Sequence, residues 1–135
     1  MERYRVMDHT ADLMVEAYGR SMQECFSNAG FALFDQTVDL STVDPSIEVS
    51  FSTGGDDLEE RLYLFLSELL FMEDCDGFIA KDLDVRFESD KTVCVARGEH
   101  LDRDRHRVKS EVKAVTFHMM RVEPDVPRVT VIFDV

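Results

Sequence analysis

Residues 57–100 read DLEERLYLFLSELLFMEDCDGFIAKDLDVRFESDKTVCVARGEH, and their apolar period changes once. Leu58, Leu62, Phe65, Leu69 and Met72 recur every three or four residues, which predicts one apolar stripe along a helix. Asp57 stands where an N-cap oxygen accepts from a free helix-terminal N–H, and Gly77 supplies the left-handed position that ends a helix. Past Gly77, Phe78–Glu88 and Thr92–His100 read as strands. On the N-terminal side, Arg3–Met7 and Leu13–Tyr18 predict two short strands. Ser21-Met22-Gln23-Glu24 has the pattern of a capping box, and Met22, Cys25, Phe26, Ala29 and Leu33 extend a helix to about Phe34. Ile47–Ser52 alternates as a strand does, and Gly54-Gly55 breaks the chain. On the C-terminal side, Val112–Val122 and Arg128–Phe133 predict the last strands, joined through a turn at Asp125-Val126-Pro127. The order β-β-α-β-α-β-β-β-β predicts an α+β fold: two helices on a mostly antiparallel sheet, in a single compact domain over residues 1–135.

Composition excludes several classes. Hydrophobic residues make up 44% of the 135 and charged residues 32%, enough apolar surface for a core and too much for a disordered chain. No apolar run approaches the ~18–20 residues that span a bilayer. The N-terminus has no apolar signal core, so a cytoplasmic protein with no membrane association is expected. With 28 acids against 15 bases the formal charge is −13, a field that repels phosphate at long range. Any role with RNA is therefore expected to be local or indirect. Cys25, Cys75 and Cys94 are odd in number and widely spaced, which suits small buried hydrophobes in a reducing compartment better than disulfides. The charge is also uneven. Residues 56–90 hold 12 acids and 3 bases, whereas residues 97–113 hold 6 bases and 4 acids, a mixed run expected to be a solvated loop or a small contact patch.

Familiar catalytic spacings fail. Gly54-Gly55 precedes a helix, but no Gly-Lys-Ser/Thr follows, and Asp56 and Asp57 repel phosphate. Asp74-Cys75-Asp76-Gly77 has its glycine too early for a calcium loop and reads as a helix-ending turn. His9, His100, His106 and His118 form no His-x-x-x-His pair, which disfavours a zinc hydrolase. Two places stand out. Asp8-His9-Thr10-Ala11-Asp12 packs two carboxylates and an imidazole between two strands, as either turn chemistry or a site. At the other end Asp134 and the Val135 carboxylate lie one residue apart, about 3.4 Å along a strand. They are either solvated in water or neutralised by a cation or donors.

Asp8-His9-Thr10-Ala11-Asp12, Ala17-Tyr18-Gly19, the helix Leu64–Leu70, Lys113-Ala114-Val115-Thr116-Phe117-His118 and Val131–Val135 together resemble the archease family, in order and over nearly the whole chain. Phe117 stands where many members have Tyr. The resemblance implies a protein cofactor and not an enzyme. Its partner is an RtcB-type RNA ligase of tRNA splicing, and RNA is met only through that ligase. The cofactor promotes ligase guanylylation and repeated turnover. It also implies a divalent-metal site, with calcium the metal, held by Asp12, Asp134 and Val135. Lys113 matches a family lysine, expected to contact a nucleotide phosphate or the partner. Such hard oxygen donors suit calcium, magnesium or manganese and not zinc. The competing expectations are a metal-dependent phosphoesterase and a chaperone-like interaction module.

Overall fold

The computed structural model describes residues 2–7 and 12–135. Its elements are β1 (Tyr4–Met7), β2 (Leu13–Tyr18), α1 (Met22–Thr37), a 3-10 turn (Leu40–Thr42), β3 (Ile47–Thr53), α2 (Leu58–Asp76), β4 (Phe78–Glu88), β5 (Lys91–His100), β6 (Ala114–Glu123) and β7 (Arg128–Asp134). Every expected element is present, and the fold is α+β as the order implies. The helix boundaries follow from capping. Ser21 Oγ accepts from Glu24 N–H at 3.1 Å, and Asp57 Oδ1 accepts from Glu60 N–H at 2.8 Å. The return bonds fall one residue earlier than in a capping box: Glu24 and Glu60 accept from the N–H groups of Arg20 and Asp56. Gly77, at φ 69°, closes α2 by donating to Glu73 O at 2.8 Å.

The strands divide into two antiparallel sheets, where one was expected. β1-β2-β7-β6 form a four-stranded sheet and β3-β5-β4 a three-stranded one. Both helices pack against strands of both sheets. That position explains α1, whose buried residues Cys25, Phe26, Ala29, Gly30, Ala32, Leu33 and Phe34 occupy most of its circumference. Phe26 meets Phe87 edge-on at 5.0 Å, and Phe65 lies within 6.0 Å of both Phe26 and Phe51, so rings from α1, α2 and the smaller sheet share one cluster. Gly30 makes that closeness possible. A Cβ there would sit 2.7 Å from Leu83 Cδ1 and 2.9 Å from Leu69 Cδ1.

α1 runs to Thr37, one turn past its expected end, because its last turn is covered by the segment following β5. Lys109 N–H donates to Thr37 O at 2.8 Å, and Val38 pairs with Val108 in an isolated bridge. β6 begins at Ala114, and its pairing with β7 is interrupted between Thr116 and Arg121. Among the described residues, no helix is long and apolar enough to cross a membrane.

Candidate functional site

The larger sheet brings the sequence-nominated residues to one end. β7 is an inner strand, with β2 on one side and β6 on the other. Leu13 pairs with Phe133, the last pair of the β2–β7 ladder, so Asp12 and Asp134 each stand one residue from that pair. On the opposite flank Ala114 pairs with Asp134, and Lys113 N–H donates to Asp134 O at 2.7 Å. Lys113 is thus fastened by its backbone beside Asp134 and Val135, with its side chain exposed. Asp12 is half-buried, Asp134 is exposed and Val135 is 45% exposed. Among the described residues, no ion pair joins Asp12, Asp134 or Lys113 to any other side chain. Carboxylate oxygens are hard donors of the kind that suit calcium or magnesium. Among the described residues no three His, Cys, Asp or Glu side chains gather as a metal cluster, so this end offers only part of a 6–8-oxygen shell. Asp8, His9, Thr10 and Ala11, the rest of the N-terminal motif, lie outside the described residues.

The mixed-charge segment after β5, expected as a solvated loop, is stitched down from inside. His106 is 4% exposed. Its Nδ1 accepts from Asp102 N–H at 2.9 Å, so Nε2 carries the proton and donates to Glu99 Oε2 at 3.0 Å. Glu99 also accepts from Asp44 N–H at 2.6 Å and pairs with the Arg105 guanidinium. These donors, Arg105 first, hold its carboxyl down at about 2. Glu73, in the last turn of α2, is the opposite case. Its Oε1 is buried with no hydrogen-bond partner among the described residues. Burial, with Asp74 and Glu111 nearby, pushes its carboxyl up to about 7. Nothing in sequence spacing marks Glu99, His106 or Glu73, because the partners come from separate elements.

His118 is exposed in the interrupted part of β6. One expectation changes. Cys25 and Cys94 are buried, with thiols pushed up by desolvation to about 11 and about 12, but Cys75 is exposed at the end of α2.

The fold and the sheet end define a small α+β protein with Asp12 and Asp134 at one end of its larger sheet. Residues 4–135 match the Archease protein family (MTH1598/TM1083). The chain belongs to the archease family. It is 35% identical over 127 residues to protein archease of Pyrococcus furiosus, covering 91% of this chain and 89% of that protein. It is 32% identical over 139 residues to protein archease of Danio rerio, covering 99% and 86%. The solution structure of Methanobacterium thermoautotrophicum protein 1598 superposes with a TM-score of 0.84 at 33% identity, over 100% of both chains. A Thermotoga maritima crystal structure, described as an archease and possible chaperone, shares the fold with a TM-score of 0.63 at 19% identity, over 97% and 96%.

Proposed function

We propose that this protein is a non-enzymatic activator of an RtcB-type RNA ligase in tRNA splicing, acting in the cytoplasm. It raises ligase guanylylation and allows repeated turnover, and it meets RNA only through the ligase. Membership of the archease family supports the reading. The observation that supports it is the strand register, in which Asp12 adjoins the Leu13–Phe133 pair and Lys113 adjoins the Ala114–Asp134 pair. In this proposal Asp12, Asp134 and Val135 hold calcium or another hard divalent cation, and Lys113 contacts a nucleotide phosphate. The metal supplies charge for phosphate chemistry in the ligase's active site. The chain's own residues present it at an exposed edge, leaving the rest of its coordination shell for water or partner groups.

The test is direct. The protein is mixed with ligase, GTP, metal and RNA bearing a cyclic-phosphate end. A rise in ligated product over ligase alone supports the proposal, and no rise refutes it. Phosphate release by the protein alone would favour a metal-dependent phosphoesterase. A chaperone-like module is the second reading, favoured by the exposed apolar side chains Phe71, Phe117 and Met119. It predicts suppression of aggregation without the ligase.

A further inference from the structure

The free edge of the larger sheet carries a structure the core does not use. Between Thr116 and Arg121, β6 contains three more residues than the facing stretch of β7. Within it Met119 has φ 58°, in the left-handed region. Such backbone is disfavoured at a residue with a Cβ and persists only where its surroundings enforce it. Burial does not offset that strain, since Phe117 is 51% exposed and Met119 55%. Phe117 is held outward by its stack on Tyr63 of α2, with ring centroids 4.2 Å apart and planes 16° apart. Beside the bulge lies a cleft of about 480 Å³, lined by Met14, Met119 and Met120 together with Glu16, Glu59 and Arg121.

Three unbranched thioether side chains from two strands form a wall that adapts to an apolar side chain. The two glutamates, on a chain of formal charge −13, set the sign of what accompanies it. We propose that this cleft docks a segment of a protein partner in which a large apolar side chain stands next to Lys or Arg. A nucleic acid fits less well, because Glu16, Glu59 and the overall field repel its phosphates. The proposal rests on the ligase reading above and assigns the ligase as the partner. The bulge begins three residues from Ala114, the residue paired with Asp134, so a ligase seated on it lies beside the carboxylate end.

The test separates docking from structure. Met119→Asn removes the thioether and suits left-handed backbone, because Asn tolerates that region. Its melting temperature is expected to equal or exceed wild type, while ligase affinity by calorimetry falls about tenfold, the scale of one well-packed interface side chain. Calcium affinity should not change. Met119→Gly should behave alike. Glu59→Gln should weaken ligase binding at low salt, with the difference closing as salt rises. Wild-type ligase affinity in all three variants would overturn the proposal and leave the bulge as a guard against edge pairing. An RNA oligonucleotide bound by wild type and lost in Met119→Asn would overturn it in favour of base stacking. If the ligase binds neither wild type nor variants, the ligase reading itself fails, and this assignment with it.

Discussion

Two groups of carboxylates, at Glu99 and at the Asp12–Asp134 sheet end, teach opposite lessons. Glu99 is 8% exposed and receives a backbone N–H from Asp44 and, from the adjacent residues Arg105 and His106, a guanidinium and an imidazole N–H. Its charge is neutralised within the molecule, so it holds the segment between β5 and β6 in place and has no capacity left for a ligand. Asp12 and Asp134 both adjoin the Leu13–Phe133 pair at the end of the larger sheet, and neither joins an ion pair among the described residues. Glu99 is satisfied from within the fold, whereas Asp12 and Asp134 are the carboxylates proposed above to meet a cation, and a structural and a ligand-binding group would differ in this way.

The largest expected effect tests the structural side. Glu99→Ala strands the His106 N–H, the Asp44 N–H and the Arg105 charge, and should cost more stability than any substitution at the sheet end or at Glu73. Its acid dependence has a definite sign. The carboxyl sits at about 2 in the folded chain against an ordinary 4.5, so its contribution is complete above about pH 4.5 and is lost as pH falls toward 2. Chemical denaturation of wild type and variant at several pH values checks this. Equal stabilities at neutral pH would erase the contrast.

Next comes the sheet end. Asp12→Asn combined with Asp134→Asn should lower calcium affinity by about 100-fold or more, since two anionic ligands become neutral. Stability should move by no more than about 0.5 kcal/mol, as for other substitutions at accessible positions. Calorimetric calcium titration beside a thermal melt reads both. A large melting shift with unchanged affinity would make these carboxylates structural. Lys113→Ala and Lys113→Arg should leave calcium affinity near wild type yet both slow ligase guanylylation, because a planar guanidinium does not replace a point-like ammonium. Unchanged guanylylation rates in both would remove Lys113 from the site.

Glu73 sharpens the comparison from a third direction. Its carboxyl lies at about 7, above its ordinary 4.5, so the folded chain binds the proton more tightly than the unfolded one. Stability should therefore fall as pH rises from about 4.5 to about 7, the reverse of Glu99. Glu73→Gln should remove that slope and stabilise the protein at neutral pH by about 1–3 kcal/mol, less than the full shift implies because water reaches part of the side chain. A pH-independent difference between variant and wild type would show that like charge and burial do not govern this carboxyl.

What the sequence by itself determined is local. Ser21 and Asp57 cap helices because their oxygens lie within one turn of the N–H groups they serve, and Gly77 ends α2 because it alone of the nearby residues enters the left-handed region without a steric penalty. The candidate carboxylates Asp12 and Asp134 were legible as residues because their flanking motifs match the family's, although nearly the whole chain separates them. Only tertiary structure decided that the strands split into two sheets around the helices, since alternation marks a strand but not the strand it pairs with. The same holds for His106, buried in a segment whose composition reads as solvated, because its partner Glu99 is fixed in β5 and also takes the distant Asp44 N–H. It holds too for the bulge at Phe117–Met120. There alternation in sequence only shifts by one place at the adjacent Met119 and Met120, whereas the register with β7 adds three extra residues. Short-range chemistry writes caps and periods into neighbouring residues, whereas pairing, burial and charge compensation depend on groups that meet only after the chain has folded.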